Sequence, residues 1–156
     1  MATGALRTYN LAQVQILVGG LPMEGFGESD AISFEMNADL YESAVGADGE
    51  VTRSATNDRS GTITLTLMST SPANDKLNVF LQRSKGSAVN DTFEVFVKDL
   101  NSADTFIASD AYIQKEPVSS YGRNAAEREW TLYAANVTTF FGGALPGGLA
   151  IGGALT

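Results

Sequence analysis

The chain has 156 residues with no cysteine and no histidine, and its 18 acidic and 10 basic side chains give a net charge of −8 at pH 7. That length fits one domain of ~100–200 residues. The missing residue types exclude disulfides, zinc–thiolate sites, cysteine nucleophiles and imidazole acid–base chemistry, and a field of this sign repels duplex DNA and anionic membranes. Charged residues make up only 18%, with 16 glycines, which suits a β-rich protein with much of its surface against other subunits. The opening MATGALRTYN has one arginine and no long apolar run, so no secretory signal is expected and the chain is expected to be made and used inside a cell.

In chain order, Leu11–Gly19 is predicted as a strand, with Ala12, Val14, Ile16 and Val18 on one face and Gly19, Gly20 and Pro22 breaking it. Ile32–Leu40 alternates strictly. Ile32, Phe34, Met36, Ala38 and Leu40 point one way and Ser33, Glu35, Asn37 and Asp39 the other, predicting one buried face and one wet, acidic face. Residues 42–60 show no period and are predicted as a long charged loop. Loops beyond ~12–15 residues are usually functional. A strand follows with Ile63, Leu65 and Leu67 inward and Thr62, Thr64 and Thr66 outward.

A helix is predicted over residues 72–85. Ser71 caps it, Pro72 enters its first turn, Ala73, Leu77, Phe80 and Leu81 form its apolar stripe, and Arg83, Lys85 and Gly86 end it. Strands are predicted at Thr92–Lys98, Thr105–Glu116 and Glu127–Val137, with a hairpin turn at Asp99–Asp104 and Trp130 as a core anchor. Thr138–Thr156 carries no charge and three Gly pairs. A helix there would cost ~1 kcal/mol per glycine and ~3 kcal/mol for the proline, so a flexible or partner-ordered tail is expected and membrane insertion is not. The organisation is therefore a β domain over residues 1–141, with its long loop at 42–60, and a Gly-rich tail over 142–156.

No catalytic, cofactor-binding or metal-ligating set emerges. Glu35 and Asp39 would stand ~13 Å apart on a strand, wider than the ~5–9.5 Å of paired glycosidase carboxylates. Gly46-Ala47-Asp48-Gly49-Glu50 lacks the repeated Asp/Asn spacing of a calcium loop and reads as a turn. Gly25-Phe26-Gly27 has neither the third glycine nor the following helix of a dinucleotide fingerprint. The expectation is a protein that is not an enzyme and takes no cofactor.

The order of these features resembles the tail tube proteins of contractile-tailed bacteriophages. The resemblance runs over residues 8 to 143 and rests on several segments. They are Thr8-Tyr9-Asn10 before VQILVGG, Gly25-Phe26-Gly27 before ISFEMN, the long loop before GTITLTL, the Ser71-Pro72-Ala73-Asn74 helix start, and EREWTLYAANV ending near Gly142-Gly143. It implies a mainly β fold, a small sandwich or barrel with one flanking helix. Subunits would form stacked hexameric rings conducting the genome, as part of the virion tail assembled in the host cytoplasm. Implied partners are further copies of the chain, a tail sheath protein, a tape-measure protein, baseplate and tail-terminator proteins, and passing DNA that is not specifically bound.

On this reading Ser33, Glu35, Asn37, Asp39, Thr62, Thr64 and Thr66 would face the lumen, and Val45, Asp48, Glu50, Val51, Arg53, Asp58 and Arg59 would meet a neighbouring subunit. The rival reading is a β-sandwich binding or virion-decoration module, which would carry exposed aromatics on its loops. Here most aromatics fall on strand and helix core positions, with Tyr41, Tyr121, Phe140 and Phe141 as exceptions.

Overall fold

Alternating apolar residues dominate the chain, and strands follow. The computed structural model describes residues 6, 8–27, 31–86 and 91–142; of the Gly-rich tail expected over 142–156, all but Gly142 lies outside them. The described residues form β1 (Val14–Val18), β2 (Leu21–Pro22), β3 (Ile32–Met36), β4 (Tyr41–Val45), β5 (Val51–Ala55), β6 (Gly61–Met68), α1 (Ala73–Lys85), β7 (Phe93–Asp99), β8 (Thr105–Lys115) and β9 (Glu127–Phe140). Seven strands make one antiparallel sheet in the order β2-β1-β7-β8-β9-β6-β3, while β4 and β5 pair only with each other.

One face of the sheet buries Ile16, Val18, Val95, Val97, Leu132, Ile63 and Leu65, as period-2 alternation requires. The helix covers the end of that face near Gly19, Phe93 and Trp130. Leu77 is fully buried, which is worth ~1.5–3 kcal/mol. The Phe80 ring meets Phe93 at 4.6 Å, and the Trp130 indole N–H donates to Asn74 Oδ1 at 3.0 Å. Ser71 holds the helix start, its Oγ accepting from the Ala73 amide at 3.1 Å and donating to the Glu24 carbonyl. The turn between β1 and β2 is Gly19-Gly20, both at positive φ (59° and 82°), the pair a two-residue hairpin favours. Gly19 also lies directly under the Phe80 ring, with no room for a Cβ.

The sheet is open yet strongly curled. Phe34 on edge strand β3 stacks on Phe106 of β8, with centroids 4.5 Å apart and planes 7° from parallel, although β6 and β9 lie between those strands.

The mainly β, single-helix architecture agrees with expectation, as do the Asp99–Asp104 turn and the buried Trp130 (2% exposed). Three boundaries differ by more than one residue. Leu11–Gln13 is a 3₁₀ turn and not strand, because the Asn10 side chain accepts from the Ala12 amide at 2.9 Å. β3 ends at Met36 because its partner β6 begins opposite it at Gly61, leaving Ala38 half-buried and Leu40 exposed. β9 runs on to Phe140, pairing Thr138, Thr139 and Phe140 with Ile107, Phe106 and Thr105, so those residues belong to the domain.

The largest correction falls on residues 42–60. They hold most of a β-hairpin, an arm in which Tyr41, Glu42, Ser43, Ala44 and Val45 pair with Ala55, Ser54, Arg53, Thr52 and Val51. The turn is closed by Gly46 N–H to the Glu50 carbonyl at 2.7 Å and Gly49 N–H to the Gly46 carbonyl at 2.9 Å, with Gly49 at φ 88°.

Candidate assembly surfaces

Three surfaces are set up by this fold: a wet sheet face, the arm, and an apolar groove.

On the wet face, Ser33 lies opposite Thr64 and Glu35 opposite Thr62. The row continues through Thr131 and Tyr133 of β9 to Lys115 and Tyr112 of β8, where the two tyrosine rings lie 5.3 Å apart. Ser33, Glu35, Thr62 and Thr64 therefore share one face. The other three expected members lie outside this paired set: Thr66 is buried, and Asn37 and Asp39 are exposed past the end of β3. Thr66 is only 8% exposed, and its carbonyl accepts from the Gly27 amide. Asn37 sits at the bend past β3, its amide donating to Ser60 Oγ and its Oδ1 accepting from Thr62 Oγ1. Asp39 lies beyond the strand, in a recess shared with Arg59, Asn136 and Thr138.

The arm is exposed at all ten strand positions. Its register puts Tyr41, Ser43 and Val45 on the same side as Val51, Arg53 and Ala55, and the Arg53 guanidinium lies 4.3 Å above the Tyr41 ring. Val45 and Val51 face each other beside the turn, 69% and 64% exposed. Asp48 Oδ1 accepts from the Glu50 amide within that turn, so the segment once comparable to a calcium loop is a hairpin tip. Asp58 and Arg59 are at the root. Asp58 Oδ1 accepts from the Ser60 hydroxyl at 2.6 Å and the Ser60 amide at 2.9 Å, which holds its carboxyl below the usual carboxylate range. The Arg59 carbonyl accepts from the Val137 amide, tying the root to β9.

The groove was not read from the sequence. Val14, Ile32, Phe34, Val97 and Phe106 line a recess of about 330 Å³, with Tyr9 and Phe141 at its mouth and Asp99 and Asp104 beside them. Phe141 meets Phe106 edge-on at 5.6 Å. The Asn101 amide and side chain and the Ser102 hydroxyl all donate to Asp99, and these bonds hold its carboxyl below the usual range. Asn101 also grips the Asn10 backbone, and Asp104 accepts from the Gly142 amide. Three distant segments meet here, and no local pattern announces such a meeting.

Among the described residues no group of three or more carboxylates is placed to hold a metal ion, and no helix is long and apolar enough to cross a membrane. The matched family model is that of the bacteriophage PhiTE tail tube protein, over residues 8–142. The chain belongs to this tail tube family. It is 28% identical over 147 residues to structural protein ORF10 of Pseudomonas phage KPP10, covering 90% of this chain and 85% of that one. Among solved structures, the sheath/tube terminator of an extracellular contractile injection system superposes with a TM-score of 0.62 at 16% identity, covering 88% of this chain and 99% of that one. The tube-terminating cap of the anti-feeding prophage gives 0.61 at 12% identity, with 90% and 96% covered. At those identities the structural likeness speaks for the fold. The tail tube protein is thus a structural component of the virion tail, mainly β with a single α-helix among its described residues.

Proposed function

We propose that this tail tube protein closes into hexameric rings, that the rings stack into a hollow tube, and that the phage genome leaves through it. The observation that carries the reading is the open sheet of a tail tube family member. Its edge strands β2 and β3 have no second strand partner among the described residues. Unpaired edges invite strand addition from another chain, and a curled sheet continued edge to edge around a ring makes a barrel. The face Ser33, Glu35, Thr62, Thr64 lines the lumen. A conduit must not hold its cargo: charges act over ~8 Å at physiological salt, and a basic wall would bind duplex by counterion release, whereas hydroxyls with the Glu35 carboxylate, set against Lys115 further along the row, do not make a basic wall.

A sheath outside, a tape-measure protein inside before ejection, and baseplate and terminator proteins at the ends are the partners of this assembly, put together in the host cytoplasm without membrane insertion. Nothing in this role requires catalysis. Negative-stain microscopy with analytical sedimentation tests it: rings or tubes with six-fold end views are expected at high concentration or with a nucleating baseplate. Particles that stay monomeric under both conditions overturn it.

A further inference from the structure

The arm and the groove are complementary. One face of the arm presents Val45, Val51 and the Tyr41 ring with a single cation, Arg53. A two-stranded ribbon exposed at every position is marginal on its own, and this one has an apolar face that its strand pairing leaves without a partner. The groove has aromatic and aliphatic walls of matching character, with two carboxylates, Asp99 and Asp104, at its margin. Asp99 remains ionised through neutral pH because its acceptor oxygens are engaged by Asn101 and Ser102.

We infer that the occupant of the groove is the arm of a second copy of this chain, with Val45 and Val51 seated against Phe34 and Phe106 and Arg53 beside Asp99 and Asp104. The contact joins two different surfaces, so it is heterologous, and a patch that fits a pocket elsewhere on the same molecule propagates from copy to copy and does not stop at a dimer. Apolar burial would supply the attraction, and the single Arg–Asp contact would fix the register. The inference rests on the tube reading above and adds the acceptor site to it.

The absence of native cysteine allows a direct test on the full chain. Val51→Cys with Tyr9→Cys, and separately Val45→Cys with Phe141→Cys, are assembled, oxidised or treated with a short bis-maleimide, and run without reductant. All four positions are exposed, and circular dichroism confirms each fold. The expected result is a ladder of covalent trimers and longer chains that needs both cysteines, since each single variant can yield dimers at most. Val45→Asp with Val51→Asp should raise the concentration needed for assembly at least tenfold.

Tubes that form without a ladder in either pair overturn the acceptor site and leave the tube reading standing. Absence of rings and tubes from the unmodified protein overturns both. A disulfide confined to single chains would place the arm in its own groove. A ladder that appears only after removal of residues 143–156 would give the groove to the chain's own terminus. Either result overturns the inference.

Discussion

Asn74 and Trp130 show how one polar contact organises an apolar layer. Both are buried. Asn74 Oδ1 receives the indole N–H at 3.0 Å, while its Nδ2 donates to the carbonyls of Met68 and Ser71. The amide thus ties the helix start to the end of β6 and the first part of β9. Trp130→Phe keeps an aromatic ring but leaves the Asn74 oxygen without its donor, which costs about 1–3 kcal/mol in addition to the lost ring volume. Urea denaturation followed by far-ultraviolet circular dichroism should show the midpoint falling with little change in slope. Trp130 was legible as a core residue because Leu132 and Ala134 share its face in sequence. Its partner was not legible, because Asn74 looks like an ordinary helix-start residue until the fold brings it 56 positions along the chain to the indole.

Among elements, those buried on one face were readable and those buried on neither were not. The strands β6 and β9 alternate because each has a core side. The arm has no core side in its own chain, so Ser43 and Arg53 interrupt its apolar face without penalty and erase the period. Hydrophobic periodicity reports burial, and strand geometry without burial leaves almost no trace. The groove was unreadable for a related reason: Phe34, Phe106 and Phe141 come from separate strands and a strand end, and only the curl of the sheet joins them. If the arm is covered only by another copy, its amides should behave differently in the two states. Hydrogen exchange over residues 41–55 is expected to be fast in the isolated subunit and slowed at least tenfold in assembled tubes, while β8 and β9 stay protected in both. Equal protection in the two states would mean that the arm is stabilised without a neighbour.

For the molecule as a whole, the decisive quantity is the sign of the charge on the wet face. Glu35 is its strand carboxylate on β3, while Asp39 lies past the strand end, so Glu35→Lys is the informative change. Assembled tubes of the wild type should leave duplex DNA unretarded in a low-salt gel. Tubes of Glu35→Lys should bind it, and the binding should fall steeply as salt rises. Wild-type and variant tubes that behave alike would place this face away from the lumen.

The strand order has a further consequence, for the timing of folding. The middle of the sheet, β7-β8-β9, is a sequential meander made from the C-terminal half of the chain, whereas β1 pairs with β7 and β6 pairs with β9. On a ribosome the first half of the protein therefore emerges without its template. The β1–β2 and β3–β6 pairs can form early, but the first has no sheet to join until β7 leaves the exit tunnel and the second none until β9 does. Nascent chains on one message consequently cannot display two properly spaced sheet edges at once, which keeps unfinished subunits from zipping together during synthesis.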